Sequence, residues 1–416
     1  MASEGGNGED AEGVGRVGIH GLTCDMMTWR NAAFVIRIIG HEPTRDPEVL
    51  RGGTPTFTRV KWSSLLCRRV GRQGSRQHEM GYIKVINETL IPRHTEEAVV
   101  LDLFAGCGGL ALGFEAVGFK TIGFEMNEPA AASYRHNLGS ECHAVKLEVG
   151  FDFPQADIVI GGPPCQPFSV GGNQRGINDA RDGFPIFIDA VKRLQPKVFM
   201  FENVRGLLYS NKWYFELILE EIAKLGYLVD YQLLNAVHHG VPQNRERLFV
   251  VGHRSSFTFP AKQKHKITVG EAIGDLMHSV PPGSKFLNAA MDAYVAKYEK
   301  ASHCINPRDL YADRPARTLT CRNLAGATGD MHRVRLPDGR RRRVIVREAA
   351  RLQSFPDHVE FKGNETQQFN QIGNAVPPML AYHIARSVKA CLDLPADDAK
   401  EIKRMKVKAN RELTLF

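Results

Sequence analysis

The sequence predicts an α/β fold with a doubly wound, mostly parallel sheet and a smaller domain inserted before the first is complete. From Val99 onward, short apolar runs with the pattern of buried strands alternate with segments of helical pattern. This alternation is typical of parallel sheets with helices on both faces. Between about residues 253 and 345 the alternation fades and polar residues intervene, which indicates the second domain.

The first predicted strand, Val99 to Leu103, leads into a glycine-rich turn and a helix through Glu115. The later strands are short apolar runs, at 121–124, 157–160, 198–201 and 248–251. In the inserted region, 333–336 and 341–346 flank Pro337-Asp338-Gly339, which predicts a hairpin. Helical pattern resumes at Arg347 and again after Pro378.

Composition narrows the class of protein. The 416 residues are 43% hydrophobic, enough for a full core, and the net charge of +8 favours a polyanionic partner. No apolar run approaches the ~20 residues that cross a bilayer, and the N-terminus lacks a signal-peptide layout, so we expect an intracellular protein without a membrane partner. The eight cysteines form no Cys-x-x-Cys pair and show no zinc-ligand spacing with histidine, so we expect no metal.

A rigid thiol follows the third predicted strand, in Gly161-Gly162-Pro163-Pro164-Cys165-Gln166-Pro167-Phe168-Ser169. The prolines restrict φ and the glycines allow another molecule to approach closely. Open α/β sheets bind ligands beyond the carboxyl ends of their strands, which is where Cys165 falls. A buried, inert cysteine is the common alternative, but this context favours a nucleophile.

A second motif, Phe104-Ala105-Gly106-Cys107-Gly108-Gly109, opens the first helix and indicates a cofactor site. Glu125 follows Gly106 by 19 residues, the interval at which an acid commonly binds ribose hydroxyls. The dinucleotide pattern lacks its last glycine, since Ala111 stands there. An adenosine cofactor without a pyrophosphate therefore suits the turn better than NAD, although a generic tight turn remains an alternative.

These motifs resemble those of the DNA (cytosine-5) methyltransferases. The resemblance extends over roughly residues 98–392 and keeps the family's motif order. Besides the two motifs above it rests on four segments, Phe201-Glu202-Asn203-Val204, Gln243-Asn244-Arg245-Glu246-Arg247, the run 347–356, and Gln371-Ile372-Gly373-Asn374-Ala375-Val376-Pro377-Pro378. It implies a Rossmann-like class I methyltransferase fold, S-adenosylmethionine as cofactor and double-stranded DNA as substrate.

The resemblance implies four catalytic residues. The Cys165 thiolate adds to carbon-6 of a flipped-out cytosine, which activates carbon-5 towards methylation. Glu202, protonated in a water-poor pocket, stabilises the charge at the ring nitrogen. Arg247 contacts the cytosine carbonyl, and Arg245 lies near the thiol and the ring.

The resemblance also implies a cofactor set in which Phe104 packs on adenine, Glu125 holds the ribose and Asn374 closes the methionine end. The full predicted set is Phe104, Ala105, Gly106, Gly108, Gly109, Leu110, Glu125, Met126, Glu148 and Asn374. One departure concerns Glu148. The family usually shows Gly-Asp-Ile where this chain has Lys146-Leu147-Glu148-Val149, and Glu148 is the candidate replacement for that aspartate.

Contacts to DNA are predicted for Ser169, Gln243 and the run Arg340, Arg341, Arg342 and Arg343, the densest positive cluster of the chain. Runs of charge are often only solvated surface. In a basic protein with a base-modifying site, however, phosphate contacts are equally expected. The DNA sequence that is read cannot be inferred from these residues.

The predicted domains follow from the motif positions. They are a disordered tail (1–15), an extension of unknown role (16–97), a catalytic domain (98–252 with 346–392), a target-recognition domain (253–345) and a basic tail (393–416).

The expected setting is a restriction-modification or orphan methylase, a monomer that acts on the same site as a cognate endonuclease. It would be cytoplasmic and nucleoid-associated in a prokaryote, or nuclear in a eukaryote. Two alternatives stay open. A tRNA cytosine-5 methyltransferase would carry a Cys-Phe-Thr tripeptide, which is absent. A catalytically silent DNA-binding regulator is disfavoured by the intact Cys165, Glu202 and Arg247.

Overall fold

The computed structural model describes residues 81–164, 182–301, 308–326 and 330–394. The described strands are β1 (Val99–Leu103), β2 (Lys120–Glu125), β3 (Cys142–Ala144), β4 (Ile158–Gly161), β5 (Val198–Val204), β6 (Leu228–Asn235), β7 (Glu246–His253), β8 (Arg333–Arg335) and β9 (Arg341–Arg343). The described helices are α1 (Tyr82–Thr89), α2 (Gly109–Val117), α3 (Glu128–Leu138), α4 (Phe184–Leu194), α5 (Lys212–Ala223), α6 (Val269–Met277), α7 (Ala289–Ala301), α8 (Cys321–Ala325), α9 (Val346–Leu352), α10 (Glu365–Asn374) and α11 (Pro378–Leu392).

Strands β1 to β7 form one sheet in the order β3-β2-β1-β4-β5-β7-β6. Strand β7 runs antiparallel to both of its neighbours, whereas the other pairings are parallel. The predicted doubly wound, mostly parallel sheet is confirmed. The sequence did not predict β3 or β6, because β3 is only three residues long and most of β6 is incompletely buried.

Side chains alternate between two apolar layers, one on each face of the sheet. In β1, Val100 belongs to one layer while Leu101 and Leu103 belong to the other. Period-two alternation of this kind buries both faces of a central strand. Helices α2 and α11 cover the first layer, and α4 and α5 cover the second.

The strand order reverses between β1 and β4, because the chain leaves β1 towards β2 and β3 and then returns to the other side. Open α/β sheets bind ligands at the carboxyl ends of the strands at such a switch point. Both sequence motifs follow these two strands, since the glycine turn comes after β1 and Gly162 to Pro164 come after β4. The topology therefore brings the two motifs to one edge of the sheet.

Strands β8 and β9 pair antiparallel and form the predicted hairpin. They form a separate two-stranded sheet that does not pair with the large one. A small apolar cluster in the same inserted region consists of Leu287, Val295 and Met331. Among the described residues, no helix has both the length and the apolar character needed to span a membrane.

Candidate active site

An open cleft of about 390 Å³ lies at the switch point of the sheet. Its volume falls within the range of small-molecule sites, ~300–1,000 Å³. The lining residues come from the glycine turn, the ends of β2, β4 and β5, the start of α3, the start of α8, and α10 with the two residues after it: Ala105, Gly106, Cys107, Gly109, Leu110, Glu125, Asn127, Ala130, Gly162, Glu202, Cys321, Gln367, Asn370, Gln371, Asn374, Ala375 and Val376.

The glycine turn lies in a conformation that few other residues adopt. Gly106 and Gly108 have φ values of +57° and +85°, in the left-handed region that glycine enters without steric cost. A Cβ atom at Gly108 would also lie 2.7 Å from Cδ1 of Leu138. The turn can therefore bend sharply after β1 and expose backbone to the cleft.

The Glu125 carboxylate is oriented by two backbone amides. The amide of Gly106 donates to Oε2 at 2.9 Å, and that of Asn127 donates to Oε1 at 2.8 Å. Charge-assisted hydrogen bonds of this length restrict the carboxylate at the end of β2. Glu125 thus lines the cleft in a defined orientation, and both its oxygens retain accepting capacity for a further donor.

Six of the predicted cofactor residues line the cleft, namely Ala105, Gly106, Gly109, Leu110, Glu125 and Asn374. Gly108 does not line the cleft, and its backbone packs closely against Leu138 and Tyr134. Met126 is 70% exposed and Phe104 packs beside Pro164 and Gly183, and neither lines the cleft. Glu148 lies outside it too, with an exposed carboxylate 3.7 Å from Lys146 Nζ, so the structure does not support Glu148 as the replacement for the family's aspartate.

Glu202 of the cleft belongs to a buried acid–base pair. Oε1 of Glu202, at the end of β5, lies 2.9 Å from Nε of Arg247 on β7, and both side chains are nearly buried. The antiparallel register of β5 and β7 brings them together, because Val204 lies opposite Arg247. Burial raises the pKa of Glu202 above its ordinary value, although the charges of Arg247 and Arg245 oppose the shift. The acid is therefore held closer to its protonated form than an exposed glutamate.

The chain that leads to Cys165 is fixed beside this pair. The side-chain amide of Asn203 donates to the Pro163 carbonyl at 3.0 Å, and the Gly183 amide donates to the Pro164 carbonyl at 3.0 Å. A Cβ atom at Gly162 would lie 3.6 Å from Oε2 of Glu202. Cys165 and Ser169 themselves lie outside the described residues, so their predicted roles remain predictions.

Arg245 does not line the cleft. Its side chain is buried, and its guanidinium donates to the backbone carbonyls of Leu319, Gly373 and Ala375. In the protein interior these donors satisfy backbone acceptors. Because Cys165 lies outside the described residues, the predicted position of Arg245 near the thiol and the ring remains a prediction.

Gln243 is likewise fully buried rather than available to DNA. Its side chain donates to Leu352 and Gln353 and accepts from the Leu319 amide. The prediction of DNA contact for Gln243 is wrong, because each of these bonds joins it to the protein interior.

The arginine run is largely a structural element. Arg342 is fully buried and forms a bidentate pair with Glu348, at 2.7 and 2.9 Å. It also donates to the carbonyls of Leu276, in the last turn of α6, and of Ser279, just after that helix. A phosphate contact by Arg342 is therefore excluded by its burial, and that prediction is wrong.

The neighbouring arginines have partners as well. Arg341 binds Asp292 and Asp309, and Arg343 donates to the carbonyls of residues 324–326 at the end of α8. Arg340 pairs with Asp338 on the surface, with its side chain 60% exposed. Of the four, Arg340 retains the exposure that a phosphate contact needs.

Several cleft residues were not predicted. Gln367 and Asn370 precede the recognised C-terminal motif on α10, and Cys321 comes from the distant inserted region. Asn127 could have been predicted, since Asn-Glu-Pro shortly after a strand is typical of a helix start. Its side chain caps α3. Cys321 had no comparable signal because its position depends on long-range packing. In the described ranges, no cluster of three His, Cys, Asp or Glu side chains could hold a metal ion.

The sheet and its switch-point cleft have the Rossmann-like fold of the class I methyltransferases. The architecture is similar to that of DNMT2 from Spodoptera frugiperda, with a TM-score of 0.55 and 18% identity over 71% of this chain and all of that one. It is also similar to EhMeth from Entamoeba histolytica, with a TM-score of 0.56 and 17% identity over 72% of this chain and all of that one. At these identities the likeness concerns the fold.

Sequence similarity is more specific. Residues 99–390 match the family described as C-5 cytosine-specific DNA methylase. Over 300 residues the chain is 58% identical to Type II methyltransferase M.AplI of Arthrospira platensis, covering 71% of this chain and 87% of that protein. It is also 34% identical to Type II methyltransferase M.FnuDI of Fusobacterium nucleatum, over 76% of this chain and 99% of that protein. The chain therefore belongs to the C-5 cytosine-specific DNA methylase family.

Proposed function

We propose that this protein transfers a methyl group from S-adenosylmethionine to carbon-5 of cytosine in duplex DNA. Its setting would be a Type II restriction-modification system or that of an orphan methylase. One observation carries the proposal: a single cleft is lined by Gly106, Glu125 and Asn374 of the cofactor motifs and by Glu202 of the catalytic motif. The chain segment that leads to Cys165 is fixed beside Glu202.

The cleft suits an adenosine cofactor. The Glu125 carboxylate can accept from ribose hydroxyls, and the open space at Gly106, where an added Cβ would meet no atom within 4 Å, permits close approach to the backbone. Asn374 lies at the end of α10, where its exposed side chain can reach polar groups in the cleft. When bound, S-adenosylmethionine supplies an electrophilic methyl group.

Cys165 would supply the nucleophile. Its thiolate forms a bond to carbon-6 of the cytosine. The electron pair of the 5,6 double bond then shifts between carbon-5 and carbon-4, and charge moves to the ring nitrogen beside the amino group. Carbon-5 thereby becomes an enamine carbon that can take up the methyl group, with S-adenosylhomocysteine as the leaving group. Loss of the proton from carbon-5 then expels the thiolate and restores the aromatic ring. Covalent catalysis of this kind replaces one difficult step with two easier ones.

Glu202 and Arg247 would stabilise the charge that enters the ring. A protonated Glu202 can donate to the ring nitrogen, and the burial that raises its pKa favours this form. The Arg247 guanidinium, 2.9 Å from Glu202, can donate to the adjacent carbonyl oxygen while it orients the acid. Such donors are effective because they are fixed before the reaction begins.

A mechanism-based adduct tests the proposal directly. Fluorine at carbon-5 cannot leave as a cation, so duplex DNA with 5-fluorocytosine at the target should trap the enzyme after methylation. We expect a 1:1 adduct that resists denaturant and requires S-adenosylmethionine. Cys165→Ser should abolish it, because a hydroxyl ionises far less than a thiol. The matched control is Cys321→Ser, which removes a thiol that lines the cleft and should leave the adduct intact.

Mass spectrometry and bisulfite sequencing complete the test. An adduct that maps to Cys321, or that persists in Cys165→Ser, would contradict the proposed nucleophile. Bisulfite sequencing of genomic DNA from expressing cells should reveal 5-methylcytosine within a defined motif. Methylated tRNA with unmodified DNA would instead support the RNA-modifying alternative.

The cofactor assignment has an independent test. Calorimetry with S-adenosylhomocysteine should show binding to the wild-type protein in the absence of DNA, because Glu125 and the glycine turn belong to one sheet edge. Glu125→Ala should weaken this binding. A wild-type protein that does not bind S-adenosylhomocysteine would overturn the assignment.

A further inference from the structure

Arg245 joins two distant parts of the chain from inside the protein. Its Nη1 donates to the Leu319 carbonyl at 2.6 Å, and its Nη2 donates to the carbonyls of Gly373 and Ala375 at 3.1 and 3.0 Å. The side chain is 1% exposed, and its Nε has no hydrogen-bond partner among the described residues. One guanidinium therefore connects the segment before α8 with the end of α10.

Both connected segments reach the cleft. Cys321 follows the first segment, and Asn374, Ala375 and Val376 belong to or follow the second. The segments also approach closely without Arg245, since an added Cβ at Gly373 would lie 2.3 Å from the Cys321 amide nitrogen. The guanidinium thus holds the backbone from which one side of the cleft is built.

Two glutamines extend the same network. The Gln243 side chain accepts from the Leu319 amide and donates to Gln353, which in turn donates to the Ala375 carbonyl at 2.7 Å. These bonds meet Arg245 at the Leu319 peptide segment and at the Ala375 carbonyl. The network is buried and polar, so its members constrain one another's positions.

Arg245 also lies at the start of the strand that carries Arg247. Its own amide donates to Asn235 at 3.1 Å and its carbonyl accepts from Ala236, which fixes the backbone immediately before β7. Arg247, two residues further on, pairs with Glu202. The same short segment therefore supports the cytosine side of the cleft through its strand and the cofactor side through the Arg245 side chain.

We propose that Arg245 is a positioning residue that holds the 319–321 and 373–376 segments at a fixed distance from the Glu202–Arg247 pair. This role rests on the proposed function, because under that function the fixed distance aligns the methyl donor with the cytosine. A lysine cannot replace Arg245, because its compact ammonium lacks the planar fork that reaches several carbonyls at once.

The test compares Arg245→Lys with Arg347→Lys. Arg347 is a matched control, because it too donates to two backbone carbonyls, of Pro356 and Val359, and does not line the cleft. Both variants should lose some thermal stability. Arg245→Lys alone should raise the KM for S-adenosylmethionine several-fold and lower kcat by up to about a hundredfold, the cost of misplacing reacting groups by ~1 Å. The KM for DNA should stay unchanged.

Hydrogen exchange supplies a readout that does not depend on activity. Amides at 319–321 and 373–376 should exchange faster in Arg245→Lys than in Arg347→Lys, since loss of the connecting bonds permits local opening. Equal exchange at these amides, or wild-type KM and kcat in Arg245→Lys, would overturn the inference. A wild-type protein that does not methylate DNA would refute the proposed function instead, while the exchange comparison would still decide whether Arg245 holds the segments.

Discussion

At the scale of single residues, Glu202 shows how burial and charge oppose each other in the cleft. Its carboxyl is 12% exposed and lies 2.9 Å from an arginine, which favours the ionised form. Burial has the larger effect, so its pKa is raised from the ordinary 4.5. In a buried ion pair, the free energy lost with hydration often exceeds the attraction between the two charges, which disfavours the ionised form of the acid.

The first prediction concerns the pH dependence of Glu202. Because the proposed donor is the protonated acid, kcat should fall as pH rises through the raised pKa of Glu202. Glu202→Gln should lower kcat by roughly 10²–10⁴, the usual contribution of a positioned acid. The remaining activity of Glu202→Gln should no longer fall at high pH, since a side-chain amide does not ionise there.

Single-turnover rates across pH provide the measurement. Glu246→Gln is the matched control, because Glu246 is a nearby carboxylate that pairs with Arg205 at the surface and does not line the cleft. Its profile should match the wild type. An unchanged basic limb in Glu202→Gln would show that another group titrates.

At the scale of secondary-structure elements, strand β9 is a structural centre of the inserted region. Its arginines bind α6, α7, α8 and α9 through separate partners. Removing one partner of a buried guanidinium–carboxylate pair destabilises a protein, because the other partner keeps its charge in a medium of low polarity.

The second prediction follows from the Arg342–Glu348 pair. Arg342→Met should destabilise the protein by about 3–5 kcal/mol, because Glu348 would remain buried without its partner. Adding Glu348→Gln should recover part of this loss by removing the unpaired charge. Arg340→Met, on the surface, should change stability by less than about 1 kcal/mol. Urea unfolding measures all three, and equal effects of Arg340→Met and Arg342→Met would contradict the burial of Arg342.

The third prediction concerns the close approach of α8 and α10 at Gly373. Glycine to alanine inside a helix usually stabilises by about 0.5–1 kcal/mol. An added Cβ at Gly373, however, would lie 2.3 Å from the Cys321 nitrogen. Gly373→Ala should therefore destabilise by about 1–3 kcal/mol, the typical cost of overpacking.

Gly274 in α6 supplies the matched control, since an added Cβ there would meet no atom within 4 Å. Gly274→Ala should follow helix propensity and stabilise the protein. Thermal denaturation of both variants gives the sign of each effect. Stabilisation by both would mean that α8 and α10 can separate without cost.

At the scale of the whole molecule, stability should depend on buried neutral histidines. Burial lowers the pKa of His239 to about 4 and that of His383 to about 3. Repulsion from nearby basic groups adds to both shifts: His238 and Lys262 act on His239, and His239 and Arg386 act on His383. Neither ring nitrogen of His239 has a hydrogen-bond partner among the described residues.

The fourth prediction is acid sensitivity. In the unfolded chain these histidines bind protons below about 6.5, whereas in the folded protein they stay neutral until about pH 4 or lower. The free energy of unfolding should therefore fall as pH drops from 6.5 towards 4. His239→Phe should reduce this slope, and the exposed His143→Gln should not. Equal slopes in His239→Phe and wild type, from urea unfolding at several pH values, would refute the role of His239.

Much of this architecture can be predicted from the sequence because it depends on local patterns. The apolar runs of β1, β4, β5 and β7 have the length and composition of buried strands, and the glycine turn after β1 needs left-handed backbone that few other residues adopt. Glu202, Glu125 and Asn374 each belong to a motif that follows or ends a recognisable element, and the structure places all three at the cleft.

The sequence by itself therefore determined the fold class, the family and the motifs that meet at the switch point. The tertiary structure alone decided which arginines are exposed, since Arg245 and Arg342 have the same composition signals as surface residues but are buried. It also decided that Cys321 reaches the cleft. The physical reason is that strand and turn signals arise from neighbouring residues, whereas the burial of a charge depends on distant partners such as Glu348 and the Gly373 carbonyl.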